Sequence, residues 1–218
     1  MGALLLICFY LIAIAADFVA PYDPYNSQTR GSLLPPSPIY LVTPAKEFIG
    51  PHVYPRTQGP VDLDTGKREI VIDWNQPAPI RLFVKGEPYK IFGLIPWDRH
   101  LFGAIGEAKI NLLGTDEQAR DRFSRLVHGS RISLFIGLVG IAISFPLGAI
   151  VGGIAGYFGG WVDGVLMRLV EVLMTIPGIY LLVALAAVLP PGLTSAERFM
   201  LIVAITSFIS WADRKSVV

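Results

Sequence analysis

The chain has 218 residues, 53% apolar and 16% charged, with a formal net charge of +1 and a mean hydropathy of +0.55. That balance is too apolar for an ordinary soluble domain and too near neutrality for a nucleic-acid-binding one. A single cysteine, Cys8, excludes intrachain disulfides and cysteine-based metal sites; inside an apolar run it reads as a small hydrophobe.

The first apolar run, Ala3 to Ala20, is interrupted only by Asp17. Crossing a bilayer takes about 20 predominantly apolar residues. Residues 1–20 are near that limit and are assigned as a first transmembrane helix. A cleaved signal peptide is the competing reading. The AIAA tail suits it, but no Lys or Arg precedes the apolar run, so a retained span is preferred.

Residues 21–113 differ in composition. Prolines at Pro35, Pro36, Pro38, Pro44, Pro51, Pro55 and Pro60 predict an extended or looped opening. Arg68–Trp74, Ile80–Lys85 and Tyr89–Ile95 have strand character, with a turn at Gly86-Glu87-Pro88. The segment is read as a small β-containing extracytoplasmic insert. Asp62-x-Asp64-x-Gly66 hints at a calcium loop, but Asp73 stands where the bidentate Glu belongs, so an Asp-rich turn is preferred. Gly66-Lys67 is no phosphate loop: Val61 replaces the required Gly and Arg68 the Ser/Thr.

Residues 114–131 are predicted to form an amphipathic interfacial helix. Thr115 would be its N-cap, with Gln118 three residues on completing a capping box. Asp116 and Glu117 would sit in the first turn, where the helix dipole favours negative charge. Ala119, Phe123, Leu126 and Val127 share one face at helical spacing, and Arg120, Arg122, Arg125 and His128 cover the rest. Such a helix either lies on the membrane with its Arg heads at phosphates, or gates or docks beside a substrate path.

Residues 132–218 read as a transmembrane bundle. Ile132–Tyr157 carries no charge. Within it Gly140, Ser144, Gly148, Gly152 and Gly156 form a ridge of small residues that lets another helix approach, and Pro146 predicts a kink. Gly159-Gly160-Trp161 makes a turn. A third apolar run, Val172–Leu189, is broken by Pro177-Gly178. Just before it, Arg168 and Glu171 can form an intramembrane charge pair, or snorkel to the interface. Pro190-Pro191-Gly192 closes that run, and Phe199–Trp211 forms a short fourth one. The expected fold class is an all-α polytopic membrane protein, with about four transmembrane helices and a small β-containing extracytoplasmic insert after the first.

The stretch Leu112–Ile136, LLGTDEQARDRFSRLVHGSRISLFI, carries a specific resemblance. Leu112 to Asp116, Arg120-Asp121, Ser124-Arg125, Gly129, Arg131 and Ser133-Leu134 resemble the signature of inner-membrane permeases of dipeptide, oligopeptide and nickel ABC importers, in particular their second permease component. The block Gly156–Ile179, GYFGGWVDGVLMRLVEVLMTIPGI, resembles them too. Ala119 departs from the pattern, where the family usually has Gly. The resemblance makes Gly114, Thr115, Asp116, Arg120, Asp121, Ser124, Arg125 and Arg131 the candidate functional set.

What the resemblance implies is a multi-pass subunit of the bacterial inner membrane. It would form half of a translocation path for peptides or similar small solutes. Its partners would be a second homologous permease subunit, two cytoplasmic ATPase subunits, an extracytoplasmic substrate-binding protein and membrane lipid, with no nucleic acid. No cofactor, metal or catalytic residue is implied. The chain has no nucleotide-binding motif and would not hydrolyse ATP itself. In the family the next segment is a cytoplasmic loop with an EAA-x-x-x-G pattern that docks on the ATPase. The chain stops before it, which reads as a truncated or frameshifted gene. Family orientation puts the insert outside and Gly159–Gly164 inside. The positive-inside rule opposes this, because Arg120, Arg122, Arg125 and Arg131 precede the second run on the outer side.

Two other classes compete with this reading. A membrane-bound enzyme would need a nucleophile or metal motif, and neither G-x-S-x-G nor H-E-x-x-H is present; His52, His100 and His128 are scattered outside the apolar runs. A membrane-anchored sensor or binding protein, with the insert as its ligand domain, would need only one span, and the Gly ridge argues against that.

Overall fold

The computed structural model describes residues 1–61, 63, 68–91, 94–175 and 177–214. The chain divides into two units, Met1–Arg131 and Ile132–Val218.

The first unit opens with an apolar helix, α1 (Gly2–Ile14). Ala15 leaves helical geometry (φ −87°, ψ 18°), and a single further turn, α2 (Ala16–Val19), follows. At 1.5 Å per residue α1 is only about 20 Å long, against a hydrocarbon core of about 30 Å. The chain then builds β1 (Tyr40–Val42), β2 (Phe48–Val53), β3 (Arg56–Val61), β4 (Arg68–Ile72), β5 (Ala78–Ile91) and β6 (Ile95–Ala104). Strands β1-β2-β5-β6 form one antiparallel sheet, and β3-β4 a separate ribbon. Val53, Ala78, Ala108 and Ile110 make its core, with Tyr22, Ile80 and Phe102 packed around them. Tyr40 meets Tyr54 and Trp74 edge-on beside it, and Tyr54 lies tilted on Trp74, with ring centroids 4.9–5.5 Å apart.

Two expectations for this unit change. The Pro-rich opening holds strands β1, β2 and part of β3, because Pro51 and Pro60 fall at positions the ladders tolerate. Gly86-Glu87-Pro88 is no turn. It is an irregularity inside β5, between the pairs Lys85↔Arg99 and Tyr89↔Trp97. Pro88 has no amide hydrogen for the ladder, and a side chain at Gly86 would come within 2.9 Å of the His100 ring nitrogen Nε2. The hairpin reverses beyond Ile91 instead, where Leu94 N–H donates to Ile91 C=O at 3.1 Å. The segments Asp62–Asp64–Gly66 and Gly66-Lys67 lie outside the described residues.

A 37-residue helix, α3 (Arg122–Phe158), begins in the first unit and continues into the second; Pro146 lies inside it without ending it. Gly159 and Gly160 follow with φ of +55° and +52°, a backbone that favours glycine. Next come α4 (Gly160–Met174), α5 (Gly178–Val188) and α6 (Ser195–Arg214), with α6 packed on both α4 and α5. The helices α4 and α5 are bent by 72° at a break containing Pro177. Thr194 caps α6: its Oγ1 accepts the Glu197 N–H at 3.3 Å, and Glu197 Oε2 accepts the Thr194 N–H at 2.9 Å.

This corrects the expected all-α polytopic fold class. The chain is a mixed α and β structure. Among the described residues one helix, α3, is long and apolar enough to cross a membrane, or two if the bent α4–α5 pair counts as one span. The break at Ala15 shortens α1. Glu197, Arg198, Asp213 and Arg214 at the two ends of α6 shorten its apolar stretch.

Candidate functional site

The predicted site residues 114–131 do not form one helix. Residues 114–121 form a loop that is woven into residues 27–37, and the helix starts only at Arg122. The reasons lie in the side chains. Thr115, buried, spends its hydroxyl on the earlier chain: Oγ1 donates to Gly31 C=O at 2.5 Å and accepts the Leu34 N–H at 2.7 Å. Its own N–H donates to Leu34 C=O at 2.9 Å. The expected capping box with Gln118 therefore does not form.

Asp116 organises the loop. One carboxylate oxygen accepts the Gln118 and Arg120 N–H groups, both at 2.9 Å, in an Asx turn. The other accepts Arg120 Nε at 2.9 Å and Nη2 at 2.8 Å, and also pairs with Arg125. Burial raises the Asp116 pKa, but the hydrogen bonds and charge of Arg120 outweigh it and hold the group at about 2. The turn forces Ala119 to φ +61°. That is a backbone glycine adopts freely, at the one position where the chain departs from the resembled signature. Ala119 C=O accepts the Gln28 N–H at 2.9 Å, so the strained residue also holds the two strands of chain together. Gly114 (φ +72°) is obligatory: a Cβ there would clash with the Leu34 carbonyl oxygen and come within 3.1 Å of the Pro35 carbonyl carbon.

The true N-cap of α3 is Asp121. Its Oδ2 accepts the Ser124 N–H and hydroxyl, each at 2.7 Å. The residue is 1% exposed, and Oδ1 has no hydrogen-bond partner. Burial accordingly pushes its carboxyl above the usual range, against the Ser124 bonds. Ser124 Oγ also accepts the Tyr22 N–H at 3.3 Å. The buried Tyr22 hydroxyl, pushed up by desolvation, accepts the Ile110 N–H at 2.8 Å.

Arg131 closes the arrangement from the first turns of α3. Its Nε donates to Ala13 C=O at 3.0 Å and Nη2 to Ile14 C=O at 3.1 Å, satisfying carbonyls at the end of α1. Nη2 also meets Asp17 at 2.8 Å, and His128 Nε2 lies 3.1 Å from the same carboxylate. All eight candidate motif residues are thus placed in one connected region, together with partners the sequence reading did not assign: Asp17, Tyr22, Gln28 and Leu34. Asp17 had a visible signal, as the lone charge in the first apolar run. Leu34 had none, because it takes part through its backbone.

A cavity of about 370 Å³ lies beside this loop, lined by Arg56, Lys109, Gln28 and Asn111 among others. Its polar groups are largely spent on one another. Gln28 and Asn111 form a reciprocal amide pair at 2.7 and 3.1 Å, and Arg56 donates to Pro35 and Pro36 C=O at 2.9 and 3.1 Å. Among the described residues, no three His, Cys, Asp or Glu side chains come together to hold a metal ion.

In the second unit the small-residue ridge divides. A Cβ on Gly140 would lie 3.1 Å from Ser207 Oγ on α6, and Ser144 is buried. Gly152 and Gly156 face open space, and Gly148 is half-buried. Arg168 and Glu171 do pair, at 2.7 Å, with both side chains exposed.

The region defines a membrane protein in which a capped helix entry is tied to the end of an apolar N-terminal helix. Residues 1–36 match the N-terminal TM domain of oligopeptide transport permease C. Curated relatives are similar over roughly a third to a half of the chain. The peptidoglycan transport system permease protein YejE of Agrobacterium fabrum is 42% identical over 102 residues, covering 47% of this chain and 25% of the relative. The dipeptide transport system permease protein DppC of Bacillus subtilis is 46% identical over 80 residues, 37% of this chain and 25% of the relative. The oligopeptide transport system permease protein OppC of Bacillus subtilis is 35% identical over 111 residues, 51% of this chain and 34% of the relative. The resemblance to dipeptide and oligopeptide permeases is borne out, and the chain spans about a quarter to a third of the length of these relatives.

Proposed function

We propose that the chain acts as part of a permease subunit of a peptide-type ABC importer in the bacterial inner membrane. It would contribute to half of a translocation path for peptides or similar small solutes. A homologous permease subunit would supply the other half, two cytoplasmic ATPases the energy, and an extracytoplasmic binding protein the substrate. Residues 1–20 would lie in the membrane and residues 21–113 outside it, with the apolar part of the chain from residue 132 onward again in the membrane. ATP hydrolysis would belong to the partner subunits.

The observation that carries this reading is the interlock of the motif residues Gly114–Arg131 with residues 13–37. In it the residues that resemble the permease signature bond across to the end of α1 and to residues 31–34. A transport subunit needs its membrane segments held in register while partners act on them. The buried bonds of Thr115 and Asp121, with the partly exposed ones of Asp116 and Arg131, would supply that rigidity within the first unit.

The test is affinity capture of the tagged chain from solubilised membranes of cells that also express a homologous peptide permease and its ATPases. Co-purification of a homologous permease and an ATPase, reduced by Gly114→Ala, is the expected result. Capture of the chain alone, under conditions where the partner permease and ATPase co-purify with each other, would overturn the reading.

A further inference from the structure

The hairpin between β5 and β6 ends in an apolar tip. No charge occurs from Ile91 to Trp97. Of the residues described there, Leu94 is 82% exposed, Ile95 57% and Trp97 45%. Large apolar side chains grouped on a tip signal a partner or a membrane. What surrounds them favours the membrane. Tyr89 is the cross-strand partner of Trp97, and such aromatic residues suit a lipid interface. Lys90 is exposed beside the tip, whereas Lys85 and Arg99, further back along the strands, are engaged by Asp98 at 3.3 Å and by the Phe83 carbonyl at 3.3 Å. A long cationic side chain such as that of Lys90 can reach lipid phosphates while its stem covers apolar surface.

The body of the same hairpin is fastened where the first apolar segment ends. Phe83 packs on Phe18 of α2 with ring centroids 6.0 Å apart, and His100 Nδ1 lies 2.6 Å from Ala20 C=O. The apolar tip is therefore carried by an element anchored directly at the end of α1 and α2, itself an apolar segment with exposed Leu4, Leu5 and Leu6.

We propose that Leu94, Ile95 and Trp97 insert into the outer-leaflet interface of the bilayer, so that the β5–β6 hairpin is a second, peripheral membrane contact of the external insert. The inference rests on the reading that residues 1–20 lie in the membrane and residues 21–113 outside it. The hairpin would then set the height and tilt of the insert on the lipid surface.

The 218-residue chain carrying Cys8→Ser is reconstituted in phosphatidylethanolamine–phosphatidylglycerol vesicles. An environment-sensitive fluorophore is attached at Leu94→Cys, at Leu5→Cys within α1, or at Glu47→Cys on the β1–β2 turn. Each label is quenched with iodide from the water and with a shallow spin label carried on lipid. The expected result is lipid quenching at Leu94→Cys, with iodide quenching several-fold weaker than at Glu47→Cys. Iodide quenching at Leu94→Cys equal to that at Glu47→Cys would overturn the proposal. So would protection from both quenchers, which would mean that protein covers the tip. Lipid quenching at Leu5→Cys but not at Leu94→Cys removes the hairpin contact and leaves the reading of α1 intact; the reverse removes the reading of α1 and, with it, the outer-leaflet placement of the tip.

Discussion

Arg131 and Asp17 meet at 2.8 Å across 114 positions of sequence. The same guanidinium donates to the carbonyls of Ala13 and Ile14, so one side chain from α3 both caps α1 and neutralises the only acid that follows it before Asp23. Replacing Arg131 by Ala removes three charge-assisted bonds and leaves Asp17 with His128 alone. The expected loss is about 1–3 kcal/mol, with Arg131→Lys falling between Ala and the parent because an ammonium cannot reproduce the fork. Thermal unfolding in detergent, combined with Asp17→Asn in a double-mutant cycle, measures it; additive effects of the two changes would show that the pair is not coupled.

Gly114 and Ala119 share a left-handed backbone but should respond oppositely to substitution. Gly114→Ala adds a Cβ against Leu34 C=O and strains φ, and is expected to cost about 3 kcal/mol or more. Ala119→Gly relieves strain of about 1–2 kcal/mol, partly offset by the greater freedom of glycine in the unfolded chain, for a net gain of about 0.5–1 kcal/mol. Resistance to limited proteolysis between residues 109 and 131 should fall in the first variant and rise in the second.

The two acids of the motif loop should give opposite pH signatures. Asp116 is held at about 2 when folded, below the ordinary 3.8. Its contribution is therefore present above about pH 4 and lost as the pH falls towards 2. Asp116→Asn should destabilise at pH 7 and flatten the stability profile between pH 4 and 2. Asp121 is raised, so its contribution is full at acid pH and is lost as the pH rises through its folded value. Asp121→Asn keeps a good N-cap without a buried charge. It should be neutral or stabilising at pH 7, and relatively less favourable near pH 3. Denaturant unfolding across this range decides; parallel profiles for the two variants would contradict the assignment.

The ridge of small residues on α3 should tolerate bulk unevenly. Gly140→Leu forces a side chain into Ser207 and Val203 on α6, and is expected to cost about 1–3 kcal/mol. A Cβ at Gly152 meets nothing within 4 Å among the described residues, so Gly152→Leu should leave the unfolding midpoint unchanged. If Gly152→Leu unfolds as early as Gly140→Leu, the packing of α3 described above is wrong.

Sequence by itself determined features that neighbouring residues impose on one another. The long uncharged run after Arg131 gave α3, the Pro177-Gly178 step broke the following helix, and the alternation of Ile70, Val71 and Ile72 gave β4. The motif from Leu112 to Leu134 marked the candidate region, because its residue types and spacing can be read in linear order. Tertiary structure alone decided how that region is built. Thr115 carries every local sign of a helix cap, yet Gly31 and Leu34, more than 80 positions away in sequence, take up its hydroxyl. The start of α3 passed instead to Asp121, which accepts the Ser124 N–H and hydroxyl. Likewise β5 runs through Gly86-Glu87-Pro88 because β6 lies alongside to hold it, and a turn dipeptide cannot register that. Local propensity is worth tenths of a kcal/mol per residue, whereas a buried polar group left unpaired costs about 1–3 kcal/mol. Where the two conflict, the long-range partner sets the backbone.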